Sequence, residues 1–170
     1  MARTSTIPAV EIVSVGRHAG STGVVDVTVA DLEAMLAADA DGLVDHAPVK
    51  LGHRSALNAD LGDGAPAYGW VKPTKIITNA EGRKTLVGDL HGVPAELAAI
   101  APTAYRRRSA EIAWGIKTPT GKAYAAALVG LALLGATPPA VKGLADIVAL
   151  YSDGITPGNV TTIDVVDGIE

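Results

Sequence analysis

Ser109 follows three adjacent arginines, Arg106, Arg107 and Arg108, and opens a strand-like run through Ala110, Glu111 and Ile112. A serine hydroxyl is a weak nucleophile until a neighbouring base takes its proton. A candidate base lies upstream at His53, the end of Ala47-Pro48-Val49-Lys50-Leu51-Gly52-His53. If folding brings these side chains together, the pair can attack an acyl carbon. If it does not, the chain reads as a structural component. Strand alternation puts Ser109 and Glu111 on one face and Ala110 and Ile112 on the other. Glu111 can then orient or polarise the pair. Arg107 and Arg108 are candidates to stabilise negative charge developing on an oxyanion. The plainer reading of the same pattern is the solvent-facing side of an edge strand with ordinary solvated arginines.

Other titratable residues offer weaker alternatives. Asp89 and His91 alternate onto one strand face and can supply a third member, or form a surface pair. His18, in a glycine loop, and His46, beside Asp45, read as solvated. His46 and His53 with Asp45 or Asp60 could ligate a metal, but their spacing matches no metal motif, so neither metal nor cofactor is expected. The Gly16-to-Gly23 stretch lacks the lysine of a phosphate loop. Three arginines on a chain of net charge −4, without interleaved aromatics, make a weak nucleic-acid footprint.

The elements that must position these residues follow from composition and pattern. A chain of 170 residues fits one domain, and the absence of cysteine excludes disulfides and thiolate metal sites. No phenylalanine is present, so Ala, Val, Leu and Ile must fill the core. The N-terminal residues lack the apolar core of a secretory signal, so a soluble cytoplasmic protein is expected. The apolar run from Ala123 to Ala136 is too short to span a membrane and reads as a strand buried on both faces.

Val10 to Val15 reads as an opening strand, residues 16–23 as a loop, and Val29 to Ala38 as a helix capped by Thr28. Ala47 to Leu51 is a short strand and Asn58 to Gly64 a surface loop. Ala67 to Thr78 and Lys84 to Leu90 form a hairpin, with Pro73 at an edge or bulge. A short helix spans Val93 to Ile100 and is closed by Pro102. Ser109 to Lys117 and Tyr124 to Leu134 are strands, and Pro139 to Tyr151 reads as a second helix. The division is a domain over 1–151 and a polar tail over 152–170, extended or mobile, packing only through short pieces such as Val160 to Val166. The class is α+β: a strand-rich, barrel-like domain with a few peripheral helices.

A set of segments resembles the phage head maturation (prohead) proteases. It runs Val49-Lys50-Leu51-Gly52-His53, Gly64-Ala65-Pro66-Ala67-Tyr68-Gly69-Trp70-Val71 and Leu86-Val87-Gly88-Asp89-Leu90. Val93-Pro94-Ala95-Glu96-Leu97-Ala98, Arg107-Arg108-Ser109-Ala110-Glu111 and the stretch from Leu131 to Val141 continue it. The likeness is strongest to the Mu-like I protein group and covers roughly Ile7 to Tyr151. It implies a fold related to herpesvirus assemblin, a strand-rich barrel ringed by helices. It also implies Ser109 as nucleophile, His53 as general base and an arginine, Arg107 or Arg108, near the oxyanion. The implied function is a serine endopeptidase that trims scaffold protein, major capsid protein and itself inside an assembling procapsid in the host cytoplasm. No membrane or specific nucleic acid is involved, and self-association into a homo-oligomer is allowed. Two departures stand out. The strand Tyr124 to Leu134 carries neither the histidine nor the acid that relatives place there, so the third role falls to Glu111, then Asp89 or His91, then none. The long scaffold region of many Mu-like members is also missing. The alternative is a non-catalytic capsid or scaffold component that keeps the protease fold.

Overall fold

The computed structural model describes residues 3–20, 23–52, 64–135, 141–145, 160–163 and 165–166. In chain order the elements are β1 (Thr4–Ser14), β2 (Gly16–Gly20), β3 (Gly23–Val27), α1 (Val29–Ala40), β4 (Ala47–Leu51), β5 (Trp70–Thr78) and β6 (Lys84–Pro94). They continue with α2 (Ala95–Ala104), β7 (Arg107–Lys117), β8 (Ala123–Leu134), β9 (Val141–Ala145), β10 (Val160–Ile163) and β11 (Val165–Val166). Seven of these strands form one sheet in the order β1-β6-β5-β4-β8-β7-β11. Its β4–β8 and β7–β11 pairings are parallel and the remaining four antiparallel. The chain is therefore α+β and strand-rich, as its β-branched runs dictate.

One face of the sheet carries the core. Val10 and Ile12 of β1, Leu86 and Leu90 of β6, Val71 of β5 and Val49 of β4 point inward. Leu131 and Leu133 of β8 and Ala110 and Ile112 of β7 join them in the same cluster. Leu32 and Met35 of α1 and Leu97 and Ala101 of α2 complete it. The α1 helix starts as its sequence demands. The Thr28 hydroxyl accepts from Asp31 N, and the Asp31 carboxylate accepts from Thr28 N, so two otherwise orphaned amides are satisfied.

The sheet curls until β7 approaches β1. Arg108 of β7 is fully buried, and its Nε donates to the carbonyl of Glu11 on β1 at 2.8 Å. No backbone ladder joins β1 to β7 among the described residues, so the expected barrel is corrected to an open, coiled sheet. A guanidinium stands where closing hydrogen bonds would run.

Local expectations fared unevenly. Pro73 sits at a register shift of the β5–β6 ladder, where a missing N–H is tolerated. The β5–β6 turn is fixed by Asn79, whose side-chain oxygen accepts from the amides of Glu81 and Arg83. The stretch read as a loop over 16–23 contributes β2 to a hairpin with β3, with Gly16 opposite Val27 and Gly20 opposite Gly23. Pro102 lies inside α2 rather than closing it. It stands near the end, where only one backbone bond is forfeited. The helix expected from Pro139 to Tyr151 is overturned over its described part: Val141–Ala145 is a strand paired with Val160–Ile163. Val141 and Leu144 keep a helical spacing, and pairing with the partner strand overrides it. The pieces of the tail within 160–166 are laddered, Val165 against Ala110 and Val166 against Glu111.

Candidate active site

The site is built by strand alternation across β7, β8 and β4. Ser109 stands opposite Ala132 of β8, and Ala132 stands beside Lys50 of β4. These three residues therefore form one row on the face turned away from the core. One step along, Glu111 stands opposite Gly130. Both rows share a face because Ala110 and Ile112, Leu131 and Leu133, and Val49 all point the other way. Immediately after Glu111 the register shifts, with Ile112 opposite Leu128, which leaves Val129 as an extra residue on β8. Such bulges re-aim side chains and recur beside active sites.

Alanine and glycine on β8 leave a trough between β7 and β4, and Glu111 lies across it. A Cβ on Gly130 would sit 2.2 Å from Glu111 Oε1. Lys50 reaches in from the other side, its Nζ 2.8 Å from Oε1 and 3.2 Å from Oε2. The Glu111 side chain is almost wholly buried while Lys50 keeps about a third of its surface in solvent (4% and 34% exposed). A buried carboxylate without a compensating charge is costly, and the ammonium supplies that charge. Ser109 is fully buried. The plainer reading of Ser109 and Glu111 as a solvent-facing edge is thus overturned: both are enclosed, and β11 pairs outside β7.

The other candidates are distributed elsewhere. Arg108 faces the core side, opposite to Ser109, with its Nε on the Glu11 carbonyl and Nη1 on the Arg106 carbonyl at 3.2 Å. Arg107, two positions before Ser109, alternates onto the Ser109 face and is partly exposed. Asp89 accepts from the amide of Ala9 at 2.9 Å. His91 Nδ1 lies 3.3 Å from the Thr6 hydroxyl. Asp89 and His91 are thus engaged with β1, on a strand separated from β8 by β5 and β4. His53 and Asp60 lie outside the described residues. The described chain leading to His53 ends at Gly52, whose amide donates to the Leu133 carbonyl at 2.9 Å. Leu133 is the ladder partner of Arg108.

His18 departs from its expected solvation, whereas His46 keeps it but pairs with a different carboxylate. His18 is buried, and because the Ser14 carbonyl 2.8 Å away can only accept, its Nε2 carries the proton. Burial holds its pKa below the ordinary value, reinforced by Arg83 and opposed by the Ser14 bond and Asp26. His46 pairs with Asp39, Nδ1 to Oδ1 at 2.8 Å, rather than with its neighbour Asp45. No cluster of metal-ligating side chains occurs among the described residues.

Lys50 and Gly130 are the residues that sequence reasoning missed. The only local signal was a lysine between apolar Val49 and Leu51, on the alternate face of a strand. Its partner is 61 positions away, beyond the reach of periodicity. Comparison with known protein families, curated proteins and solved structures finds no match to this chain.

Proposed function

We propose that this chain is a serine endopeptidase of procapsid maturation, with Ser109 as nucleophile and His53 as general base. The observation that carries the proposal is the gathering of Ser109, Glu111 and Lys50 on one face at the end of the sheet where β4 leads into position 53. β7 begins where β8 and β4 end, so the Gly52 amide lies across one strand from the residue preceding Ser109. In the proposed reaction His53 takes the Ser109 proton and the serine oxygen bonds the scissile carbonyl carbon. The amine then leaves with that proton, and water hydrolyses the ester. Glu111, held by Lys50, is the fixed charge of the site, and Arg107 is the arginine that shares its face with the nucleophile. The segments resembling prohead proteases supply the substrate class: scaffold and major capsid protein within an assembling procapsid. The chemistry needs no cofactor.

One observation favours a second reading, a non-catalytic capsid or scaffold component that retains the fold. Ser109 has no solvent-exposed surface, and a nucleophile must meet its substrate. The two readings separate chemically. Purified chain is incubated with its scaffold and capsid proteins, and new termini are mapped by mass spectrometry. Cleavage that disappears in Ser109→Ala supports the endopeptidase. Cleavage that persists in Ser109→Ala removes Ser109 as the nucleophile, and no cleavage at all leaves the structural component.

A further inference from the structure

The face that carries Ser109 continues across β4 to β5. Lys50 shares that face with Pro48, two positions earlier, and Pro48 is the ladder partner of Trp70. Trp70 leaves nearly half of its surface in solvent (45%). A large exposed aromatic on an otherwise well-packed sheet marks a contact surface. Beside it lies a concavity of about 230 Å³ lined by Trp70, Asp45 and His46. That is room for one side chain, since pockets for whole small molecules begin near ~300 Å³.

The lining has a definite chemistry. The Asp45 carboxylate is exposed. His46 holds a φ of 51°, in the left-handed region that non-glycine residues rarely adopt. Its Nδ1 is taken by Asp39, which leaves Nε2 as the ring nitrogen open to a ligand. An indole face, a free carboxylate and an imidazole edge together suit a long cationic side chain. Lys72, the nearest lysine along β5, stands across the ladder from Asp89.

On the endopeptidase reading above, we infer that the Asp45–His46–Trp70 concavity is a substrate subsite for an arginine or lysine four or five residues from the scissile bond. The spacing follows from the sheet. From β5 through β4 and β8 to β7 are three strand steps of ~4.8 Å, and Ser109 lies one alternate position further along, giving a path of roughly 15 Å. Extended peptide advances ~3.3 Å per residue.

The test supplies the full chain with peptides made by cutting a bacterial lysate at glutamate, and maps the cleavage windows by mass spectrometry. Arginine and lysine should be enriched four or five positions from the cut on one side. For one cleaved peptide carrying that arginine, Trp70→Ala and Asp45→Asn should each lower kcat/KM by about 2- to 5-fold, the value of one exposed cation–π contact or one surface ion pair. The same variants should leave cleavage of the arginine-to-glutamine peptide unchanged. No enrichment, or equal losses on both peptides, overturns the subsite while leaving the endopeptidase intact. Absence of all Ser109-dependent cleavage instead removes the endopeptidase and the subsite with it. If Trp70→Ala does not fold, the exposed Asp45→Asn and the peptide pair carry the same test.

Discussion

Gly130→Ala should destabilise the protein, although residue propensity alone argues the reverse. Alanine is better tolerated in a strand than glycine, by about 0.5–1 kcal/mol, and Gly130 is not in the left-handed region. What decides the sign is Glu111. The new Cβ would lie 2.2 Å from Oε1 and 2.9 Å from Cδ but 3.3 Å from the Glu111 Cβ. The carboxylate must therefore move while the strands stay nearly where they are. Its displacement lengthens the 2.8 Å contact with Lys50. A lengthening of ~1.5 Å costs about 2 kcal/mol at an effective dielectric near ~20. Overpacking adds about 1–3 kcal/mol. Against the propensity gain, the net loss is about 3 kcal/mol, or a fall in Tm of roughly 6–12 °C for a chain of this size. Urea unfolding followed by circular dichroism measures it. The decisive control is Glu111→Ala, which empties the trough and leaves Lys50 free to turn to solvent. In that background Gly130→Ala should cost nothing measurable, a coupling of at least ~2 kcal/mol in the double-mutant cycle. Costs that add within ~0.5 kcal/mol would refute the claim that the missing Cβ exists to seat the carboxylate.

Three further outcomes follow from the same structure. Arg108→Met should destabilise by about 3–5 kcal/mol, because it strips a buried guanidinium from between β7 and β1, whereas Arg107→Met should stay within about 0.5 kcal/mol; urea midpoints compare them. His18 is held below its ordinary pKa by burial, so the unfolded chain takes up the proton first as the solution is acidified. Its contribution is complete above ~6.5 and is lost as pH falls from there through the folded value, at no more than ~1.4 kcal/mol per pH unit. Melting temperatures between pH 7.5 and pH 5 should therefore fall less in His18→Gln than in the native chain. Finally, the Asp41 carboxyl lies below its ordinary range because Lys122 Nζ and the Tyr124 hydroxyl both donate to it. Lys122→Met should return it towards the usual carboxylate value, read by carbon NMR titration of the side-chain carboxyl.

What could be read from the sequence was whatever short-range physics decides. The Thr28 cap, the Asn79 turn and the alternation that sets Ser109 and Glu111 on one face are each complete within a few residues. The bulge at Pro73 follows from its missing donor. Failures began where the deciding partner is distant. Val141 to Ala145 has a helical spacing in its apolar residues, and only pairing with Val160 to Ile163 makes it a strand. Residues 16–20 are short of β-branched side chains and become β2 because β3 lies opposite. Arg108 looked like a partner for an oxyanion because it adjoins Ser109 in sequence. Alternation alone already placed it on the opposite face, and the curl of the sheet gave it Glu11. Lys50 was invisible as a site residue because nothing near it in the chain requires a carboxylate.

The burial of Ser109 is the fact that any account of this chain must accommodate. Beside that serine stands the Lys50–Glu111 pair, whose carboxylate is buried and whose ammonium is about one-third exposed. The trough places a carboxylate and an ammonium on the face that carries the hydroxyl. The proposed endopeptidase requires that the covered serine become accessible when substrate is present. Labelling by a fluorophosphonate decides between the accounts. Modification at Ser109 that quickens when scaffold protein is added fits a nucleophile uncovered by its substrate. Complete inertness of Ser109, with scaffold present and the fold intact, fits a wall.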